Sequence, residues 1–170
     1  MAMTAEDLRK LMPQVPQPTQ EAIHIAFDDL PFVEIAPGAE VQLVHVDLKQ
    51  GLWIARNRFQ PGSAITKHYH TGPVYAVTLR GKWYYAEYPD EVNTAGSYLF
   101  EPAGSVHTLT IPADQDEPTE VWFAINGCNV EMDENDNVLM VVDASTMLNG
   151  YRMICDAQGL DYSKLVVVGE

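Results

Sequence analysis

The chain has 170 residues, which is long enough for one full hydrophobic core and too short for two domains of ordinary size. It carries 24 acidic and 10 basic side chains, a net charge of -14, and no basic cluster, so neither nucleic acid nor an anionic membrane surface is an expected partner. The two cysteines, Cys128 and Cys155, lack the spacing of a thiolate metal site or a disulfide framework. No apolar run reaches membrane-spanning length and the N-terminus has no signal-peptide pattern, so we expect a cytoplasmic protein.

Residues 1–30 are predicted to form a short helix followed by an extended arm. Thr4 and Asp7 are placed to cap a helix that begins just after Thr4 and ends before Pro13. Residues 13–20 contain three prolines, which favour an extended segment over a helix or a strand. Because this arm has little core of its own to join, we expect it to lie on a neighbouring subunit of a homo-oligomer, either a dimer or a tetramer.

Residues 31–143 are predicted to form an all-β domain. Short runs of strand-forming residues alternate with turn signals such as Pro61-Gly62 and Pro89-Asp90, and no helical pattern intervenes, which indicates an antiparallel sandwich or barrel. The predicted strands are 41–48, 52–59, 74–79, 83–88, 97–100, 107–111, 121–125 and 138–142. Residues 144–170 are predicted to be a helix over 145–157, ending near Gly159, and a tail.

Three histidines carry the clearest indication of chemistry. His68 and His70 are two residues apart, so in a strand both side chains point to the same face, and His107 follows about forty residues later. Neutral imidazole binds iron, zinc, nickel and copper, and three such ligands leave coordination positions free, as a catalytic metal site requires. His24 and His45 lack such neighbours and are interpreted as ordinary loop or strand residues.

The spacing of these residues resembles the two sequence motifs of the cupin superfamily in its three-histidine form. The first motif is matched by Gly62, His68, His70 and Gly81, and the second by Gly96, Pro102, Gly104 and His107. The resemblance implies a double-stranded β-helix, or jelly-roll, barrel with a metal at the mouth of its interior.

The segments around both motifs, residues 70–87 and 95–109, also resemble the 2,4'-dihydroxyacetophenone dioxygenase family, and the similarity runs from about residue 31 to the C-terminal helix. That resemblance implies a non-haem iron dioxygenase, holding Fe(II), that uses dioxygen to cleave a carbon-carbon bond next to a carbonyl. A hydroxyketone or a diketone is then the expected small-molecule substrate.

Two positions depart from the usual cupin pattern. Val74 or Tyr75 stands where the first motif normally has a metal-binding glutamate, and Ile111 stands where the second motif normally closes with asparagine. The usual set of three histidines and one glutamate is therefore incomplete.

Glu87 is predicted to supply the missing carboxylate as a fourth metal ligand and catalytic group. Counting in steps of two, Trp83, Tyr85 and Glu87 share one face of a strand, and an aromatic pair in a small barrel is expected to face inward. A carboxylate on that face needs a cation to offset its burial. The alternative is a carboxylate at the rim of the barrel that reaches solvent.

Other side chains are candidates for the wall of the substrate cavity. Tyr75 and Tyr85 are predicted to line it and contact a planar substrate, although aromatic residues in a small barrel also serve as core. Tyr69 is expected on the outside of the barrel, and Arg56 and Arg58 on the surface.

Two other classes of function fit the same motifs. The first is a non-catalytic zinc-binding cupin with a sensor or ligand-binding role. The second is a metal-assisted isomerase or hydrolase, because one fold hosts many chemistries.

Overall fold

The computed structural model describes residues 3–11 and 21–170. Helix α1 spans Ala5–Leu11 and begins with the predicted cap: the Asp7 backbone N–H donates to Thr4 Oγ1 at 3.2 Å, and the Thr4 backbone N–H donates to the Asp7 carboxylate at 3.0 Å. The predicted arm of residues 13–20 lies outside the described residues. No helix in the described part of the chain is both long and apolar enough to cross a membrane.

The rest of the chain is built mainly from short strands. They are, in chain order, β1 Val33–Ala36, β2 Ala39–Asp47, β3 Leu52–Phe59, β4 His68–His70, β5 Val74–Arg80, β6 Lys82–Tyr85, β7 Asn93–Thr94, β8 Tyr98–Glu101, β9 Val106–His107, β10 Leu109–Thr110, β11 Thr119–Asn126, β12 Asn129–Met132, β13 Val138–Val142 and β14 Val166–Val168. The 3-10 turn Phe27–Asp29 precedes them, and helix α2, Ala144–Gln158, lies between β13 and β14. The predicted all-β class is confirmed.

Two sheets enclose the core. The larger has the strand order β1-β2-β3-β11-β5-β8, and the smaller has the order β13-β12-β4-β9. Strands β10, β6 and β7 form a third, short sheet. Antiparallel pairing joins the neighbouring strands in these orders, and the apolar side chains on the inner faces form one buried cluster.

Helix α2, Ala144–Gln158, extends one residue beyond each end of the predicted helix 145–157. Asp143 caps it by accepting a hydrogen bond from the Thr146 backbone N–H at 2.7 Å, and Gly159 ends it with a φ of 65°. Leu148, Tyr151 and Cys155 pack into the core, so α2 covers one end of the barrel. The following tail contains one unexpected element, because β14 pairs in parallel with β2 and extends the larger sheet.

Arg56 is not on the surface as expected, since its side chain is buried against the outer face of the larger sheet. Its guanidinium carbon lies 4.1 Å from the centre of the Phe27 ring and 4.7 Å from that of Phe32, and its Nε lies 3.4 Å from Glu120. Arg58 stacks on the same Phe32 ring at 3.9 Å. Both arginines therefore hold residues 27–32 against the sheet, away from the barrel interior.

Candidate metal centre

A cavity of about 380 Å³ lies between the two sheets, beside α2. Its wall is mostly apolar. The apolar side chains include Ile35, Trp53, Phe59, Leu109, Phe123, Ile125, Met140, Val142, Met147 and Ile154. The polar side chains are Asn57, Thr66, His68, His70, Tyr85, Glu101, Asn129, Glu131, Thr146 and Tyr151. A wall of this kind suits a small, largely apolar ligand fixed by a few polar groups.

The three predicted histidines form one group, and two of them, His68 and His70, line this cavity. His68 and His70 point inward from β4, and His107 lies directly opposite His68 because β9 pairs with β4. All three are buried, and each offers a nitrogen atom within 4.8 Å of the other two. The motif spacing has thus placed three imidazoles in one group.

The turn before His107 explains why the second motif has a glycine at position 104. Gly104 adopts a φ of 82°, which a residue with a side chain rarely does, and its backbone N–H donates to the His70 carbonyl at 2.8 Å. This hydrogen bond holds the turn against β4. His107 follows three residues later and is held at the correct distance from His68 and His70.

The protonation of the histidines suits metal binding. His68 Nδ1 lies 2.7 Å from the Thr66 carbonyl oxygen, which can only accept, so Nδ1 carries the hydrogen and Nε2 is free to bind a metal. Burial lowers the pKa of His68, and burial together with a smaller effect of the neighbouring His68 lowers the pKa of His70 and of His107 to about 3. All three rings are therefore neutral near pH 7, which is the form that coordinates metals.

Glu101, at the end of β8, is a fourth member of this centre that the sequence reasoning missed. One of its carboxylate oxygens lies 3.3 Å from His107 Nε2 and 3.6 Å from His70 Nε2. The other accepts a hydrogen bond from the Tyr85 hydroxyl. Glu101 is only 3% exposed, and this burial raises the pKa of its carboxyl to about 7.

The polar atoms of the centre fit a bound cation. Among the described residues, Glu101 Oε2 and His107 Nε2 are buried and have no hydrogen-bond partner. Buried polar atoms are rarely left unpaired, because each one loses its contacts with water. A metal ion held by the three imidazoles would satisfy both atoms and balance the Glu101 charge.

The prediction for Glu87 is wrong in its geometry. Strand β6 ends at Tyr85, so Glu87 follows the strand rather than sharing its inner face, and its side chain is exposed. Its carboxylate accepts a hydrogen bond from the Thr108 backbone N–H at 2.9 Å. Glu87 is thus a rim residue, the alternative that the sequence left open.

The two tyrosines have opposite positions. Tyr85 lines the cavity as predicted, and its ring stacks on that of His107 with centres 4.2 Å apart. Tyr75 does not line it: the side chain is 39% exposed and contacts Phe100 on the outer face of the sheet. The physical reason is strand alternation, because Val74 and Ala76 on either side of it are buried in the core.

Comparison with known proteins identifies the family. The family model described as the ChrR cupin-like domain matches residues 20–128. The chain belongs to this cupin family. No curated protein matches it.

Solved structures agree with a cupin barrel. A protein of unknown function with a cupin-like fold from Ralstonia eutropha is 32% identical, with a TM-score of 0.82 over 91% of this chain and 97% of its own. An RmlC-like cupin from the same organism is 26% identical, with a TM-score of 0.78 over 85% of this chain and 94% of its own. An acetylacetone dioxygenase from Acinetobacter johnsonii is 20% identical, with a TM-score of 0.69 over 84% of this chain and 98% of its own, and at that identity it shows the fold alone.

Within this cupin, the register of the larger sheet explains how Glu101 compensates for the missing motif glutamate. Val74, one of the two residues at the usual glutamate position, lies directly opposite Glu101 on the neighbouring strand. Side chains opposite one another in an antiparallel pair share a face of the sheet. The Glu101 carboxylate therefore lies on the face of the sheet where a glutamate at position 74 would lie, but it comes from the neighbouring strand.

Proposed function

We propose that this cupin is a metal-dependent dioxygenase that cleaves a carbon-carbon bond next to a carbonyl in a small hydroxyketone or diketone. The observation that carries the proposal is the convergence of three neutral histidines and one buried carboxylate beside an apolar cavity of about 380 Å³, whose wall includes His68, His70 and Glu101. Three imidazole ligands leave positions open for a substrate with two adjacent oxygens and for dioxygen.

The metal, which we propose to be ferrous iron, would be held by His68, His70 and His107. When bound, it supplies Lewis acidity that stabilises a deprotonated ketone and redox chemistry toward dioxygen. Zinc, nickel and copper also suit these ligands, so the ligand set alone does not choose the metal.

The chain's own residues have three tasks in this proposal. Glu101 adds a negative charge beside the imidazoles, and the Tyr85 hydroxyl keeps that carboxylate in place. Burial and the adjacent Glu101 raise the pKa of Tyr85, so its hydroxyl remains a hydrogen-bond donor. The apolar wall excludes bulk water from the substrate and gives a planar ketone surface to pack on.

The comparisons support this reading and one alternative. The named activity of the Acinetobacter johnsonii relative makes acetylacetone, a diketone, a natural first substrate to test. The family is described by reference to ChrR, an anti-sigma factor that binds SigE in Rhodobacter sphaeroides, so the alternative we keep is a non-catalytic zinc-binding cupin with a sensor or ligand-binding role.

Oxygen uptake tests the proposal. Metal-free protein is reconstituted with iron or with zinc and mixed with a panel of hydroxyketones and diketones. We expect the iron form to consume dioxygen with at least one of them and to release two carbonyl or carboxyl fragments, and we expect the zinc form to be inert. An inert iron form, combined with tight zinc binding, would reject the dioxygenase and favour the zinc-binding alternative.

We also propose that the chain assembles into a dimer or a tetramer. Four apolar side chains of the edge strand β13 are about half exposed, which is unusual for an unprotected sheet edge. Light scattering at micromolar concentration should give at least twice the chain mass of 18.9 kDa. A mass of one chain would contradict the assembly.

A further inference from the structure

A second carboxylate lies beside the metal centre without belonging to it. The paired strands of the smaller sheet place His107, His68, Glu131 and Met140 in one row across the inner face. Neighbouring strands are about 4.8 Å apart, so the backbone of Glu131 on β12 lies about that distance from the backbone of His68 on β4. Glu131 also lines the cavity, whereas its carboxylate is not part of the histidine group.

Glu131 has no partner that explains its position. Among the described residues it makes no side-chain hydrogen bond and no ion pair, and no lysine or arginine lines the cavity. The side chain is half-buried, and this burial raises the pKa of its carboxyl. The Glu131 carboxylate therefore has acceptor capacity left for a group of a ligand bound in the cavity.

The neighbouring row across the same sheet contains a second polar side chain without a partner, the amide of Asn129. Asn129 lies opposite His70 on β4 and opposite Val142 on β13, and it also lines the cavity. Its Oδ1 atom is buried without a hydrogen-bond partner in the described part of the chain. Asn129 and Glu131 therefore form a polar strip between the histidines and the apolar residues of β13.

We propose that Glu131 determines substrate specificity: it accepts a hydrogen bond from a hydroxyl or ammonium group of the bound ketone and rejects ketones that carry a carboxylate. This inference rests on the proposed function, since it concerns the substrate of the same cavity. A ketone bound to a metal on His68 would lie close to Glu131, because the two residues are opposite one another on paired strands. A carboxylate on the ketone would be repelled by the Glu131 carboxylate, because the apolar wall of the cavity weakens the repulsion less than bulk water does.

A binding measurement with two probes tests the proposal. Zinc-loaded protein is titrated calorimetrically at pH 8 with phenacyl alcohol, a neutral hydroxyketone, and with the same molecule carrying a carboxylate on its ring. The wild-type protein should bind the neutral probe at least tenfold more tightly. In Glu131→Gln, which keeps the size and shape of the side chain, the ratio of the two dissociation constants should fall at least fivefold.

Glu134→Gln is the matched control. Glu134 lies in the turn after β12 and is exposed, so this variant removes the same charge from a position outside the cavity. It should leave the ratio unchanged. An unchanged ratio in Glu131→Gln, or no preference for the neutral probe in the wild type, would overturn the assignment.

Two further outcomes separate this inference from the proposed function. Zinc content is measured in every variant, and loss of zinc in Glu131→Gln would overturn the assignment, because the carboxylate would then act on the metal. Failure of the iron form to consume dioxygen would reject the dioxygenase without changing the binding ratio. Binding of neither probe to the wild type would overturn the assignment of Glu131, whereas the dioxygenase would still be decided by oxygen uptake of the iron form.

Discussion

Glu101 and Glu87 are two carboxylates near the same three histidines, and their surroundings differ in almost every respect. Glu101 ends a strand on the inner face of the barrel, is buried, and is held by the Tyr85 hydroxyl. Glu87 follows the end of a strand, is exposed, and is held by a backbone N–H of Thr108. The point at which each strand ends therefore decides which of the two carboxylates lies beside the histidines.

Both carboxylates are compared by their position relative to the three histidines, and replacing a histidine should have the largest effect on metal binding. His68→Ala, His70→Ala and His107→Ala each remove one of three ligands, so each variant should lose most of its bound metal. The measurement is metal content per chain by elemental analysis. His24→Ala removes an exposed histidine and serves as the control. Full metal content in all three variants would contradict the site.

Glu101→Gln should have the next largest effect. The change keeps the shape of the side chain and removes the charge that faces His70 and His107. Groups that support metal ligands in this way typically contribute 10- to 100-fold in affinity, and we expect a loss of roughly that size. Competition with a chelator measures the affinity. A larger loss in Glu87→Gln than in Glu101→Gln would reverse the roles assigned to the two carboxylates.

Tyr85→Phe should have a smaller effect, which appears as reduced stability of the metal-free protein. The change leaves a buried Glu101 oxygen without its donor, which typically costs about 1–3 kcal/mol. Urea unfolding of the metal-free protein measures this cost. Tyr84→Phe is the matched control, because Tyr84 is the adjacent residue on the opposite face of β6. Equal stability of Tyr85→Phe and wild type would remove the supporting role of Tyr85.

Glu87→Gln and Tyr75→Phe should have the smallest effects. Glu87 acts on His68 and His107 only through its charge at a distance, and Tyr75 faces outward. We expect changes within about threefold in metal affinity and in any oxygen uptake, because solvent screens exposed charges. A tenfold loss in either variant would show that the rim or the outer face takes part in the reaction.

The barrel and the three histidines could be predicted from the sequence, whereas the positions of the two carboxylates could not. Period-two alternation and turn residues predicted an all-β barrel, and the fixed spacing of both motifs brought His68, His70 and His107 together. Glu87 was misplaced because the predicted strand 83–88 ends at Tyr85. Glu101 was missed because the predicted strand 97–100 stopped one residue before it.

The register between strands is the feature that could not be predicted from the local sequence pattern. That Glu101 lies opposite Val74, and Glu131 opposite His68, follows from strand pairing between distant segments. Local residue patterns indicate which residues share a face of one strand, but they do not fix which residue faces which on the next strand.

Anomalous diffraction from crystals of iron-loaded protein tests the central claim most directly. The account predicts one iron peak per chain, within about 2.0–2.3 Å of nitrogen atoms of His68, His70 and His107, with the Glu101 carboxylate beside it and the Glu87 carboxylate in solvent. An iron peak bound by Glu87, or one outside the three histidines, would contradict it.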